Sequence, residues 1–274
     1  MSSPTDMSSP IEMSSPIEMS SPTGAETHPD FTTNICLEQP LAGNPYVAGR
    51  RFIAGYDAAD LWRSCTYADV LLLLLSGELP TLVERRLLET FLIGLLNPGP
   101  RHPAVRAAML AGVSKTAPEH LLPIGLLTGS GSQGGALEVM AAHEFMHANV
   151  QRDPQEVATE LLEQQVSAPG FGTSFGEPDP ICQQLAADLI EQMPDHPVLQ
   201  WCRVVSGALQ ARRQGWLTPG IAAAVGLTLG LGARETLGLY QLAIAPGVMA
   251  HGMEQTHKPI SSSPFLRDEQ YDCV

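Results

Sequence analysis

The sequence predicts an all-α globule behind a repetitive acidic tail. Three observations predict it. After residue 30, apolar residues recur at three- and four-residue spacing over most of the chain. Alternating β-branched runs are scarce. Proline and glycine fall between the periodic segments, where helices start and stop.

The elements follow in order. Residues 1–30 read MSSPTD, MSSPIE, MSSPIE, MSSPTG end to end and then a short polar stretch. Each unit carries a helix-breaking Ser-Ser-Pro and too little apolar surface to offset the entropy of ordering, so the tail is expected to be disordered. Phosphorylation at Ser-Pro, a partner-binding arm and a dispensable extension are its open uses. A six-residue period is too short for a solenoid. Residues 31–274 form the predicted domain. Within it 46–55 reads as a short hairpin. Helices are predicted over 61–76, 82–96, 102–114, 135–150, 154–166, 180–192, 197–214, 219–230 and 233–251. Pro103, Pro154, Pro180 and Pro219 suit first helical turns. Gly77, Gly112, Gly170 and Gly215 suit helix ends or turns.

Composition narrows the function. The 274 residues hold 15 Lys and Arg against 29 Asp and Glu, a net charge of −14. This argues against a nucleic-acid backbone as partner, which needs a clustered basic surface. No apolar run reaches the roughly 18 residues of a membrane span. The first residues lack the basic and apolar regions of a secretory signal. Five cysteines with no C-x-x-C pair suit reduced thiols and a cytoplasmic protein.

One motif points to metal chemistry. His143, Glu144 and His147 match H-E-x-x-H, which on a helix sets two imidazoles on one face with a carboxylate to activate water. Glu156, Glu160 or Glu163 would have to supply a third ligand. This zinc-hydrolase reading competes with a simpler one, two histidines flanking a surface glutamate, in which no metal is bound.

Other motifs, taken together, carry a resemblance. Arg51 to Leu61 reads RFIAGYDAADL, a Gly-Tyr-Asp turn into a helix. Leu73 to Thr81 reads LLLSGELPT. Gln133-Gly134-Gly135-Ala136, Gly170-Phe171-Gly172-Thr173-Ser174, Asp179-Pro180 and Ala250-His251-Gly252-Met253-Glu254-Gln255 follow in order. Over roughly residues 45–260 this pattern resembles the citrate synthase superfamily, most of all its short citryl-CoA lyase-like members. The resemblance implies a citrate synthase-like helical fold with a large and a small helical subdomain, a homodimer, a coenzyme A thioester as substrate or ligand, and a dicarboxylate or tricarboxylate as second substrate. It implies no bound cofactor. It also implies carbon–carbon bond formation or cleavage through a thioester enolate. That chemistry needs a carboxylate base, two histidines that polarise oxygens, and arginines that hold carboxylates.

This chain departs from the pattern at each of those positions. The enolate-stabilising histidine corresponds to Gln133, whose amide still donates a hydrogen bond. The ketone-polarising histidine corresponds to Thr173 and the arginine beside it to Ser174. The arginine after Asp-Pro corresponds to Ile181, and one in the last helix to Ile244. The base aspartate corresponds to Pro219, which has no base at all. Among residues that remain, Asp179 reads as a helix cap, and Arg50 and Arg51 as salt-bridge partners. His251 is read as facing the pocket or packing a helix, and Lys258 as a CoA contact or a solvated lysine. The loop through Gly134 and Gly135 either accepts an anion on its amides or simply makes a tight turn. The candidate site is therefore Gln133, Thr173 and His251 for chemistry, with Gly134, Gly135 and Lys258 for CoA. Three functions stay open: a CoA-thioester enzyme of the family, a silent CoA-ester-binding or regulatory subunit that pairs with an active paralogue, and the zinc hydrolase.

Overall fold

The structure is a computed structural model that describes residues 15–17, 32–165, 167–263 and 267–270. The tail read as disordered lies outside the described residues except for 15–17. Two compact units divide the chain, Met1–Leu88 and Glu89–Val274.

The first unit opens with an antiparallel sheet in the order β1-β2-β3, formed by β1 (Cys36–Leu41), β2 (Asn44–Ile53) and β3 (Tyr56–Asp57). The predicted hairpin over 46–55 is thus a three-stranded sheet. Most residues of β1 and β2 are exposed, so their backbone pairing leaves no apolar alternation to read. Asp57 then caps α1 (Ala58–Ser64), accepting the Ala59 amide at 2.8 Å, and holds Arg50 at 2.6 Å. The helix predicted over 61–76 is two helices. Thr66 starts α2 (Tyr67–Ser76) through a capping box with Asp69, which satisfies two amides that a continuous helix would have paired. Gly77, in the left-handed region, ends α2. A second box, Thr81 with Glu84, starts α3 (Leu82–Leu95).

Asp69 is fully buried. Its carboxylate takes the Arg85 guanidinium at 2.5 Å and the Thr66 amide and hydroxyl at 2.7 and 2.9 Å.

The second unit holds α4 (Pro103–Val113), α5 (Leu121–Thr128), α6 (Ala136–Asn149), α7 (Pro154–Gln164), α8 (Pro180–Gln192), α9 (Pro197–Leu209), α10 (Thr218–Thr228) and α11 (Ala233–Gln255). The prediction lacked α5, because LLPIGLLT is apolar on all sides and shows no period. Strands β4 (Phe171–Gly172) and β5 (Gly215–Trp216) pair antiparallel. Helix α11 packs on α4, α5, α6 and α10, and its Leu239, Tyr240, Ala243, Ile244 and Val248 form the centre of the core. Pro246 sits inside α11, and the next amide, Gly247, donates to the Leu96 carbonyl at 2.9 Å. No helix among the described residues is long and apolar enough to cross a membrane.

Candidate functional site

The Gly-rich loop 129–135 joins α5 to α6. It closes on itself, with the Ala136 amide donating to the Gly129 carbonyl at 3.0 Å. Gly134 adopts φ +71° and is held from both sides. Its amide donates to Glu138 Oε2 at 2.5 Å, and its carbonyl accepts the Tyr240 hydroxyl at 3.1 Å. His102 Nε2 lies 3.4 Å from the same hydroxyl, while His102 Nδ1 accepts the Ala104 amide at 3.3 Å and caps α4. A ring that accepts at Nδ1 carries its proton on Nε2, which therefore donates to Tyr240. Burial holds the His102 pKa below its ordinary value and keeps the ring neutral. Burial, aided by the nearby Glu138 carboxylate, pushes the Tyr240 phenol up.

The second loop comes from Gly170. Its φ of +81° turns the backbone so that Gly170 and Gly220 touch; a Cβ on Gly220 would lie 2.1 Å from the Gly170 carbonyl oxygen. That oxygen also accepts the Leu217 amide at 3.0 Å, and the Gly170 amide donates to Glu138 Oε1 at 3.4 Å. One carboxylate therefore ties both loops together. Gln183 of α8 holds the β5 backbone reciprocally, donating to the Trp216 carbonyl at 3.1 Å and accepting the Trp216 amide at 3.2 Å. Pro219 is buried in the first turn of α10, beside the glycine contact. Cys182 lies 3.5 Å from the Thr218 hydroxyl, and burial pushes its thiol up, away from the reactive thiolate.

The expected site residues divide accordingly. Gly134, Gly135, Gln133, Thr173 and Pro219 lie on segments that meet at Glu138 and at the Gly170–Gly220 contact. Gln133 is exposed, and Thr173 is half-buried with its hydroxyl donating to the Glu177 carbonyl at 2.8 Å. Ser174 and Ile181 are exposed, and Ile244 is buried in α11. Asp179 caps α8 through the Ile181 amide at 2.8 Å. His251 lies about 16 Å along α11 from Tyr240 at 1.5 Å per residue, with Nε2 3.0 Å from Asn97 Oδ1. Lys258 lies beyond it, paired with Glu254 at 2.9 Å, and its carbonyl accepts Lys115 Nζ at 2.6 Å. Neither belongs to the cluster around Glu138. The loop amide of Gly134, read as an anion acceptor, is taken by Glu138.

The H-E-x-x-H helix is α6. His143 is buried, with Nε2 2.9 Å from the Leu231 carbonyl, and its ring stacks on His147 at 6.3 Å between centroids. Glu144 is exposed, and Glu160 pairs with Arg152. Among the described residues no three His, Cys, Asp or Glu are grouped to hold a metal.

Sequence reasoning missed Glu138, Tyr240, His102 and Gln183. Glu138 had a local signal, since an acid at the third position of a helix reaches back to amides ahead of it. A tyrosine inside an apolar helix also implies a partner for its hydroxyl. The other two had none.

Solved structures share this architecture. Citryl-CoA lyase from Hydrogenobacter thermophilus matches with a TM-score of 0.74 at 22% identity, over 90% of this chain and 94% of that one. ATP citrate lyase from Methanothrix soehngenii, in complex with citrate and coenzyme A, matches at 0.69 and 17% identity. The match covers 91% of this chain and 44% of that one, so this chain spans under half of the larger enzyme. The citrate synthase from Thermoplasma acidophilum, in a ternary complex with carboxymethyl coenzyme A and oxaloacetate, matches at 0.58 and 18% identity, over 77% and 58%. The fold is the citrate synthase fold. No protein-family model matches the sequence, and no curated protein does.

Proposed function

We propose that this protein is a member of the citrate synthase superfamily that binds a coenzyme A thioester and does not form or cleave citrate by the superfamily's usual route. The observation that carries the reading is Pro219. It is buried against the glycine contact, at the position the resemblance gives to the proton-abstracting carboxylate. Proline supplies neither base nor amide N–H. Losing a general base costs about 10²- to 10⁴-fold, and losing an oxyanion donor of histidine strength costs about 10²- to 10³-fold. The replacement of arginines by Ser174, Ile181 and Ile244 removes the fixed charge that would hold a second carboxylate substrate.

What remains is suited to binding. The loop backbone around Gly134 and Gly135 is held in place, and Gln133 stands exposed beside it with an amide able to donate to a thioester oxygen. Lys258, if CoA lies along the end of α11, meets a phosphate. The structural neighbours in complex with coenzyme A or carboxymethyl coenzyme A support the ligand class. A homodimer, or a heteromer with an active paralogue, is part of the same proposal. Leu110, Leu127, Leu242, Met249 and Met253 are exposed on α4, α5 and α11, helices that pack on one another.

The test is calorimetric titration of the full chain with acetyl-CoA, with free CoA measured after addition of oxaloacetate. The expected result is binding without oxaloacetate-dependent CoA release. Release would overturn the silent reading, and failure to bind would remove the CoA ligand. Gln133→His alone is expected to add no turnover, because the base is still missing.

A further inference from the structure

The structure seats a part of the repeat tail. The Ile17 amide donates to the Gly55 carbonyl at 3.0 Å. Gly55 closes the turn between β2 and β3 at φ +88°, after Ala54 at φ +46°. Two left-handed residues in succession make the tight hairpin turn that matches strand twist. A Cβ on Gly55 would lie 2.8 Å from the Ile17 carbonyl oxygen and 3.0 Å from Pro16 Cβ. Only glycine lets the Pro16–Ile17 backbone come this close. Pro16 fixes its own φ and lacks an N–H, so the segment arrives extended, with little conformational freedom left to lose.

The sequence repeats this motif. Residues 7–12 and 13–18 are both MSSPIE, while the outer units replace the isoleucine with Thr5 and Thr23. Nothing in the contact with Gly55 distinguishes Ile11 from Ile17: each follows Ser-Ser-Pro and precedes a glutamate. The tail carries acids and no lysine or arginine, and β2 displays Arg50 and Arg51 near the turn, paired with Asp57 and Glu38 but largely exposed. The charges are complementary.

We propose that the β2–β3 turn at Gly55 is a docking site for the chain's own Pro-Ile motif, and that the two identical repeats exchange on it. Six residues of additional tether change the closing probability by less than about twofold. Both repeats therefore occupy the site in comparable proportion. Ile17 is 41% exposed, so only part of its side chain leaves water, and the threonine units, with less apolar surface to bury, occupy the site less.

The experiment uses the full chain labelled with ¹⁵N-isoleucine, which reports the Ile11 and Ile17 amides separately. Both amides are expected to shift from the positions they take in a free MSSPIEMSSPIE peptide, and the Ile11→Thr plus Ile17→Thr double variant assigns the two signals by their loss. Ile17→Thr is expected to raise the docked fraction of Ile11 about twofold, and Ile11→Thr to do the same for Ile17. Gly55→Ala releases both. The threonine variants alter only the tail, so they test the idea even if Gly55→Ala disturbs the turn. An Ile11 amide unmoved by Ile17→Thr would overturn the exchange. Shifts that change on tenfold dilution would show a second copy supplying the repeat, and would overturn docking within one chain.

Discussion

Asp69 and Arg85 define the sharpest stability prediction. The carboxylate is fully buried, the guanidinium nearly so, and they meet at 2.5 Å. Replacing Asp69 with leucine removes the carboxylate that pairs with Arg85 and also the second half of the Thr66 capping box. Leaving a buried charge without its partner costs about 3–5 kcal/mol, and losing the cap adds about 1 kcal/mol. A domain of this size loses roughly 2–4 °C of Tm per kcal/mol. The single variant should therefore melt at least about 8 °C lower. Asp69→Leu combined with Arg85→Met removes both charges, and exchanging a buried pair for apolar side chains is close to neutral. The double variant should recover all but about the capping loss. Urea unfolding followed by tryptophan fluorescence, on both single variants and the double, closes the cycle and measures the coupling. A coupling below about 1 kcal/mol would refute the reasoning, because it would place the pair in solvent-like surroundings.

Three further outcomes follow from the second unit. Gly220→Ala puts a methyl group 2.1 Å from the Gly170 carbonyl oxygen and should cost at least the 1–3 kcal/mol typical of overpacking, read as a lowered urea midpoint. His102 is neutral in the fold with its pKa below the ordinary 6.5. Below pH 6.5 the unfolded chain binds a proton that the folded chain refuses, so stability falls as pH drops from 6.5 toward the folded value. His102→Asn keeps a cap and should flatten that slope in unfolding measured from pH 7.5 to 5.5. Cys202 is fully buried, and burial pushes its thiol well up. It should resist a thiol reagent in the native state and react at once in denaturant, whereas labelling at the native rate of an exposed thiol would contradict its burial.

The helices were legible where one face is apolar and the other wet, as in α7 and α9, because burial imposes the period. They were not where burial is complete or pairing is only through the backbone. Helix α5 has no polar face, and β1 and β2 have almost no buried one. The cap that Asp179 makes on α8 was readable, since its partner is two residues away. The ties of Tyr240 to Gly134 and His102 were not, because they join positions 106 and 138 residues apart. Asp-Pro announces itself locally, whereas a hydroxyl satisfied across the core announces only that it needs a partner.

The contact between Gly170 and Gly220 bears on how such a chain changes over time. The two loops are held by backbone atoms, by two glycines and by Glu138, none of which is among the side chains expected to do chemistry. Substitution at 133 or 174, both exposed, therefore leaves the joint intact. The exposed side chains of these loops can vary one by one at little structural penalty, while the backbone joint keeps the shape of the surface that carries them.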